Sequence, residues 1–363
     1  LLLIDIAATF GTSVGVTGQI RTTSATVAVV IALLMAGLSV RFKHKHLLIV
    51  GLAFIVVSAL GSGLAPNYAA ILVFYSLTGV GMSMANPMSQ SILGEYLPLD
   101  RRASTMGWML GASASAYLIG APVFAYISGV GGWRWAFLGF VLPMAALSLT
   151  FAAYGLPRPR MEEGGGNGSV VAAFRAVFTT ASAAACLLGN LMINASWSTH
   201  LSYSSSMLRQ RFTVSTGFAS MSTIVGATCF IVGSVWSGRL VSRFGRKRLT
   251  VLLAAPAGLL LLVAYNLGYL PLVLVMSWLG ALFNGMLYSA TSSLALEQLP
   301  RFRGTMMSIS AATGSLGSAI GTAFGGWILV NYYYPQVGWF MGAISLVAVL
   351  IYHFFSRDPT GKQ

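Results

Sequence analysis

Long apolar segments separated by short polar turns recur from one end of the chain to the other. A helix needs about 20 residues to cross the hydrocarbon core of a bilayer. The pattern therefore predicts eleven complete spans, at residues 17–40, 47–65, 68–92, 103–127, 135–156, 177–201, 215–237, 248–268, 270–294, 304–330 and 336–355. Residues 1–16 are too short and too rich in glycine for a full span, so we interpret them as the end of another one.

The composition favours a membrane protein over a soluble enzyme. The chain is 56% hydrophobic and 8% charged, with a mean hydropathy of +0.79, whereas a soluble domain has roughly 25% charged residues. The net charge of +14 does not indicate a nucleic-acid partner, because the cations lie between apolar segments rather than on one water-facing surface. Cys186 and Cys229 lie inside apolar segments and are interpreted as packing residues. No metal site and no cofactor are expected.

The turn from Gly238 to Leu249 carries five cations between two apolar segments. Positive residues are enriched in cytoplasmic loops, so this turn is assigned to the cytoplasm. All lysines and arginines then lie on the cytoplasmic side except Arg21, Arg134, Arg209 and Arg211. We therefore expect a multi-pass protein of the cytoplasmic membrane, with both termini in the cytoplasm.

An internal repeat relates the two parts of the chain. With an offset of 202 residues it aligns Arg41 with Arg243, Glu95 with Glu297, Pro98 with Pro300 and, after one gap, Arg102 with Arg303. Residue 1 then corresponds to residue 203, near the outer end of the span at 177–201. We therefore expect twelve spans in two parallel halves of six, with most of the first span missing from this sequence.

The repeat also predicts the domain organisation. The N-terminal half is expected at 1–156, a cytoplasmic linker at 157–174, the C-terminal half at 175–356 and a cytoplasmic tail at 357–363. The glycines of the linker favour a random coil. They do not form a phosphate loop, because no strand precedes them and no Gly-Lys-Ser/Thr follows.

Four motifs carry a family resemblance. The basic turn reads Gly238-Arg-Leu-Val-Ser-Arg-Phe-Gly-Arg-Lys247, and Glu-x-x-Pro followed by Arg occurs in both halves. The third motif is Gly132-Trp-Arg-Trp-Ala-Phe137, and the fourth runs from Phe10 to Gln19. The first three resemble signatures of the major facilitator superfamily, and the fourth resembles its twelve-span drug:proton antiporter group. The sequence departs from the loop signature at Ser242, where the family has aspartate.

The resemblance implies an all-α major facilitator fold, in which two six-helix halves rock around a central site. In that family, spans 5 and 11 pack against the opposite half and slide as access alternates. The candidate hinge residues on these two spans are Gly120, Pro122, Gly317, Gly321 and Gly325. Four-residue spacing of small residues lets helices approach closely, so simple helix packing is the alternative explanation.

The seven acidic residues all lie outside the middle of the predicted spans. A buried acid usually marks an ion or proton path. Proton coupling therefore needs Asp5, near the outer end of span 1, His200, in the outer half of span 7, Glu95, Glu297 or a residue of the missing segment. Among these, histidine can titrate near neutral pH. The alternatives are that Asp5 is simply solvated and that His200 is a hydrogen-bonded polar residue.

Glu95 and Glu297 end spans 4 and 10 on the cytoplasmic side. We hypothesise that each pairs with the arginine of its own half, Arg41 or Arg243, and that these pairs form an inner gate. Ion pairs in a partly dry interface can hold one conformation and break in the other. The remaining candidate gate residues are Arg102, Gly238, Gly245, Arg246, Lys247 and Arg303. The alternative is that these charges only set the topology.

Polar side chains predict a substrate site near the midplane, between the halves. They recur on one helix face in each of three spans and comprise Asn190, Asn194 and Trp197, Asn86 and Gln90, and Asn284 and Tyr288. Amides in lipid must find partners or face a cavity, so interhelical bonding is the alternative. Arg21 lies near the outer end of span 2, where it either faces the cavity or extends to the lipid headgroups.

These features predict a secondary transporter that moves a small amphipathic or drug-like compound by alternating access, with proton-coupled efflux as its mode. The expected partners are the lipid bilayer, the small-molecule substrate and protons, and a monomer is expected. One alternative is a facilitator or importer of an anionic metabolite that Arg21 recognises. A second is a membrane receptor or scaffold without transport. A membrane enzyme is not expected, because no nucleophile with a base and no paired catalytic carboxylates occur.

Overall fold

The computed structural model describes residues 3–12, 19–156 and 170–360, and no β-strand occurs in these ranges. The helices are α1 (Leu3–Phe10), α2 (Gln19–Arg41), α3 (His44–Gly63), α4 (Tyr68–Tyr96), α5 (Leu99–Ser115), α6 (Ala121–Gly131), α7 (Trp133–Ala136), α8 (Leu142–Thr150), α9 (Val170–Thr179), α10 (Ala181–Phe212), α11 (Thr216–Phe244), α12 (Arg246–Asn266), α13 (Leu270–Gln298), α14 (Arg303–Asn331) and α15 (Tyr334–Phe355). A described helix coincides with every predicted span, which confirms the all-α membrane fold.

Eight of the described helices are long and apolar enough to cross a membrane. A ninth candidate is the pair α9 and α10, which is bent by 77° at its break. The break lies at Thr180, whose backbone is extended (φ −80°, ψ 105°). Helix α9 begins at Val170, inside the predicted linker, and residues 157–169 of that linker lie outside the described residues.

Helix interruptions follow from local chemistry. The turn between α11 and α12 is made at Gly245, whose φ of +80° is a conformation that favours glycine. Between α5 and α6 the residues Ala116–Gly120 form a π-helical turn. Pro122 lies two residues beyond its end, and proline cannot donate the backbone hydrogen bond of a regular α-helix. The irregular turn therefore lies next to the proline, where the candidate hinge on span 5 was predicted.

The chain forms two compact units, and the first comprises residues 1–92, 119–175 and 307–311. Its hydrophobic core includes Trp133 and Phe137, which meet edge to face with ring centroids 6.2 Å apart. The Trp133 indole N–H donates to Thr9 Oγ1 at 2.9 Å. The neighbouring Arg134 guanidinium lies 4.7 Å from the Trp133 ring centroid and donates to the carbonyl of Ala65. The aromatic motif thus anchors several helices of this unit.

The second unit comprises residues 93–118, 176–306 and 312–363. Helix α5 belongs to this unit, although the sequence repeat assigns span 5 to the N-terminal half. Helix backbones approach closely here because glycine leaves the space. A Cβ at Gly107 would lie 2.2 Å from the Ser234 carbonyl oxygen, and one at Gly233 would lie 2.1 Å from that of Leu282. The candidate site described next lies entirely within this unit.

Candidate functional site

A cavity of about 450 Å³ lies among α5, α10, α11 and α13. Cavities of this size are typical of small-molecule sites. Its lining is mostly apolar and aromatic and consists of Leu110, Ser113, Trp197, His200, Leu201, Ser204, Met207, Leu208, Ser222, Thr223, Gly226, Ala227, Phe230, Ser277, Trp278, Ala281 and Tyr288. Of the predicted site residues it brings together Trp197, His200 and Tyr288.

Aromatic rings form most of one wall of the cavity. Trp197 and Phe230 stack with an interplanar angle of 18° and a centroid distance of 5.4 Å. Phe230 in turn meets Tyr288 edge to face at 5.8 Å. Trp278 is oriented by its indole N–H, which donates to the carbonyl of Ser222 at 3.1 Å. The rings are therefore held by one another and by the backbone, as a preorganised binding surface requires.

A chain of hydrogen bonds links the aromatic wall to the amides of α10. The Tyr288 hydroxyl donates to Asn194 Oδ1. The Asn194 amide donates to Asn190 Oδ1 at 2.9 Å, and Asn190 donates to Thr313 Oγ1 at 3.5 Å. The structure thus places the polar faces predicted on spans 7 and 10 in contact. Asn190 and Asn194 therefore also form interhelical hydrogen bonds, which was the alternative explanation for these amides.

His200 lies at the cavity and is only 7% exposed. Its ring stacks on Trp197 at a centroid distance of 5.4 Å and meets Tyr265 at 5.9 Å. Its Nδ1 is buried without a hydrogen-bond partner among the described residues. The other coupling candidate, Asp5, and the candidate substrate residue Arg21 have side chains outside the described part of the structure.

The remaining amide candidates do not line this cavity. Asn284 is 3% exposed, and its amide donates to the carbonyl of Gly280 on its own helix. Asn86 is exposed, and Gln90 has a buried Oε1 without a partner among the described residues; both belong to the first unit. Their role in substrate binding stays a prediction.

An ion cluster lies at the end of the second unit that carries the turn 238–249, called here the signature-loop end. The Arg102 guanidinium donates to both oxygens of Glu297, at 2.8 and 2.9 Å. Arg303 lies 3.5 Å from the same carboxylate. Glu297 is 2% exposed, so its charge depends on these two partners. The predicted pairing of Glu297 with Arg243 is wrong: Arg243 is exposed and lies over the Phe244 ring.

Repeat symmetry could not have shown this pairing, because Arg102 belongs to the other half of the repeat. The packing of the helices determines which arginine contacts Glu297. Gly94 leaves space for Arg303, whose Cδ would lie 2.8 Å from a Cβ at that position. Arg102 is held by a further bond from its Nε to the Leu97 carbonyl at 2.8 Å. The predicted pairing of Glu95 with Arg41, residues of different units, stays a prediction.

Arg246 of the signature loop is buried, with 7% exposure. Its guanidinium donates to Ser293 Oγ at 3.0 Å, to Thr360 Oγ1 and to the Leu99 carbonyl. The backbone N–H groups of Arg246 and Lys247 point at Asp358 Oδ2, at 3.0 and 3.5 Å. Asp358 has no predicted role, because no residue spacing in the sequence indicates that the C-terminal tail contacts this loop.

The candidate glycines lie at tight helix crossings. A Cβ at Gly317 would lie 2.2 Å from the Leu191 carbonyl oxygen, and one at Gly321 would lie 2.2 Å from that of Ala195. Gly325 faces Thr199 in the same way, at 2.8 Å. A Cβ at Gly238 would lie 2.3 Å from Ser104 Cα, which brings the signature loop against α5. By contrast, Gly120 has no atom closer than 3.9 Å.

A bundle of membrane-length helices with an internal cavity and ion pairs at one end defines a multi-pass membrane transporter. Sequence similarity to a known family agrees with this class. A sequence model of the Major Facilitator Superfamily matches residues 1–264 and 186–363. The chain belongs to the Major Facilitator Superfamily.

Similar proteins share this architecture over nearly the whole chain. The uncharacterized MFS-type transporter YwfA of Bacillus subtilis (strain 168) is 22% identical over 99% of this chain and 88% of its own length. A probable sugar efflux transporter of Helicobacter pylori is 24% identical over 98% of this chain and 90% of its own length. The solved structure of the proton:xylose symporter XylE superposes with a TM-score of 0.78 at 16% identity, covering 100% of this chain and 92% of that one. These similarities confirm that the protein is a transporter of this superfamily. Its assignment to the drug:proton antiporter group within the superfamily stays a prediction.

Proposed function

We propose that the protein exports a small amphipathic compound through the cavity by alternating access, with the proton gradient as its energy source. The observation that carries the proposal is the preorganised aromatic cavity. Its size and lining suit a compound that is largely apolar with a few polar groups. The Helicobacter pylori relative is named as an efflux transporter, which supports export as the direction.

The ion cluster supplies a gate for this cycle. Tyr288 at the cavity and Glu297 in the cluster lie on the same helix, nine residues apart, which corresponds to about 13 Å of helix. A cluster at that distance closes one end of the unit without touching the substrate. We assign the signature-loop end to the cytoplasm because of its cations. The pair must break for the cavity to open there.

Proton coupling rests on His200. No acidic residue is among the described residues that line the cavity, so the His200 imidazole is the candidate proton carrier of this lining. XylE is described as a proton symporter, which supports protons as the coupling ion in this fold. Asp5 is the second candidate. We expect the protein to work as a monomer in the lipid bilayer.

Purified protein in sealed vesicles tests the coupling. Cationic, neutral and anionic compounds are added with and without an imposed pH gradient, and internal pH and compound uptake are followed. The proposal predicts gradient-dependent movement of an amphipathic compound, which a His200→Gln variant loses while still binding the compound. Trp236→Phe, on a tryptophan outside the cavity lining that is 52% exposed, serves as the control. Movement that is indifferent to pH would replace the antiporter by a facilitator and make Arg21 the next residue to change.

A further inference from the structure

Three hydroxyl groups of the cavity lining already donate their hydrogens to protein acceptors. Ser113 Oγ donates to the Met109 carbonyl at 3.0 Å, and Thr223 Oγ1 donates to the Ala219 carbonyl at 3.0 Å. The Tyr288 hydroxyl donates to Asn194. Each of these three oxygens therefore retains only acceptor capacity towards the cavity. The remaining side-chain hydroxyls of the lining are those of Ser204, Ser222 and Ser277.

The same lining gives no support to an ion. None of the described lining residues is Asp, Glu, Lys or Arg. Apart from the His200 imidazole and the three remaining serine hydroxyls, an anion would meet acceptor oxygens and the negative faces of the rings. A cation would gain from those faces, but without a carboxylate this gain is smaller than the cost of removing its water. A neutral flat ring, by contrast, can stack on the Trp197 and Phe230 wall.

We infer that the cavity selects uncharged aromatic compounds that carry a hydroxyl or N–H donor, such as phenols and aromatic amides. The inference deepens the proposed function, since it names the substrate class of the same cavity. The ring lies against the aromatic wall, and the donor reaches the acceptor oxygens of Ser113, Thr223 or Tyr288. A compound with the ring but no donor leaves these oxygens unpaired and binds less tightly.

Equilibrium binding of four matched compounds to the purified full chain tests this inference. The probes are β-naphthol, its methyl ether, the naphthoate anion and a naphthyl trimethylammonium cation. We expect β-naphthol to bind tightest, with the methyl ether weaker by roughly tenfold. Tighter binding of the anion or the cation, or equal binding of the ether, would overturn the inference. Because no gradient is applied, loss of proton coupling would leave this result unchanged, so the two proposals can fail separately.

Two variants at one position locate the binding in this cavity. A Cβ at Gly226 has Trp278 Cδ1 as its nearest neighbour, at 3.8 Å, so Gly226→Ala should fold with the melting temperature of the parent protein and serves as the folding control. Gly226→Phe fills the cavity and should abolish β-naphthol binding. Unchanged binding by a folded Gly226→Phe protein, with the melting temperature of the alanine variant, would show that the site lies elsewhere.

A second, independent observation concerns Asp358. This carboxylate accepts from the backbone N–H groups of Arg246 and Lys247, which begin α12. Thr360 donates to Asp358 from its own backbone and hydroxyl, at 3.1 and 2.7 Å. The preceding residue is fixed as well: the Arg357 N–H donates to Ser182 Oγ at 2.7 Å, and its carbonyl accepts from Gln298 Nε2 at 3.0 Å. This segment, residues 357–360, is called the tail contact.

The loop signature has Ser242 where the family has aspartate. Ser242 is exposed, and its hydroxyl donates to the Arg239 carbonyl of its own helix. We infer that Asp358 supplies a carboxylate to the signature loop from the tail and holds the signature-loop end closed. The contact joins the tail to Arg246, which in turn donates to the Leu99 carbonyl at the start of α5. The tail contact therefore holds the starts of α5 and α12 together.

The Asp358 carboxylate is suited to carry its negative charge in this contact at neutral pH. Burial alone would raise the pKa of Asp358, but the hydrogen bonds from Thr360, the charge of Arg246 and the backbone N–H of Lys247 outweigh it and lower the pKa below its ordinary value. A group whose pKa is lowered by folding contributes stability at neutral pH, and this is lost only as the pH falls through the lowered pKa. Substitution rather than mild acid is therefore the way to break the contact.

Cysteine accessibility in the full chain tests the tail contact. Both native cysteines, Cys186 and Cys229, are free and are first replaced by alanine. A reporter is then placed at Ala295, which is 4% exposed. We expect Asp358→Asn to raise its labelling rate by an impermeant thiol reagent roughly tenfold from the signature-loop side. Arg357→Gln, which changes an exposed side chain, should leave the rate unchanged.

A second reporter at Ala264, which is 0% exposed in the hydrophobic core of the second unit, separates opening from unfolding. The inference predicts that Asp358→Asn raises labelling at Ala295 more than at Ala264, and that Asp358→Glu restores most of the parent rate. An equal rise at both reporters would indicate a loosened fold and overturn the inference. A labelling rate at Ala295 that does not change would overturn it as well.

Discussion

A Glu297→Gln variant is expected to open the signature-loop end far more often than the parent protein. The carboxylate holds Arg102 at 2.8 Å and Arg303 at 3.5 Å, and its removal takes the neutralising charge away from two largely buried cations. Breaking a buried ion pair by removing one partner costs about 3 kcal/mol. Labelling of a cysteine at Ala295, in the protein without Cys186 and Cys229, should therefore accelerate by more than roughly tenfold, while vectorial transport is lost.

Two comparisons give this prediction its controls. Asp100→Asn removes an exposed acid from the same end and should change neither labelling nor transport. Adding Arg102→Gln to Glu297→Gln removes one unpaired cation and should recover part of the parent behaviour, because residues in one ion-pair network are not additive. If Glu297→Gln left both labelling and transport at the parent level, the gate would be wrong.

The second large effect is expected from a single methyl group at a helix crossing. A Cβ at Gly233 would lie 2.1 Å from the backbone oxygen of Leu282, a contact that side-chain motion cannot relieve. Helices α11 and α13 must then move apart, at a cost of about 1–3 kcal/mol or more. Thermal unfolding of purified Gly233→Ala should occur at a lower temperature, and transport should fall with it.

Gly226→Ala is the matched control for this crossing. It lies on the same helix, but its added Cβ has no neighbour closer than 3.8 Å. It should unfold at the parent temperature or slightly higher, because alanine favours the helix. Equal stability of the two alanine variants would contradict the close crossing described for α11 and α13.

The helices and part of the cavity could be predicted because their signals are local. Apolar length fixes a span, and the spacing of Asn190 and Asn194 fixes a helix face. The same spacing on α13 did not distinguish Tyr288, which lines the cavity, from Asn284, which bonds to its own helix. Both lie on one face four residues apart, and only the packing of neighbouring helices decides which one meets open space.

The ion pairs could not be predicted because they depend on which chain segments meet. The repeat favoured Arg243, in the same half, as the partner of Glu297, yet the strongest partner is Arg102, at the start of α5. Asp358 was assigned no role because it lies more than a hundred residues from Arg246 along the chain. Charge pairing is set by distance after packing, and a single sequence contains no record of that distance.

Alternating access of the cavity is the central claim, and a cysteine at Ala227 tests it most directly. The residue lines the cavity, and the protein without Cys186 and Cys229 has no other thiol. Impermeant reagents are applied separately from the two sides of sealed vesicles. The account predicts labelling from both sides, with Glu297→Gln shifting it towards the signature-loop side. Labelling from one side only, in the parent and in Glu297→Gln alike, would contradict it.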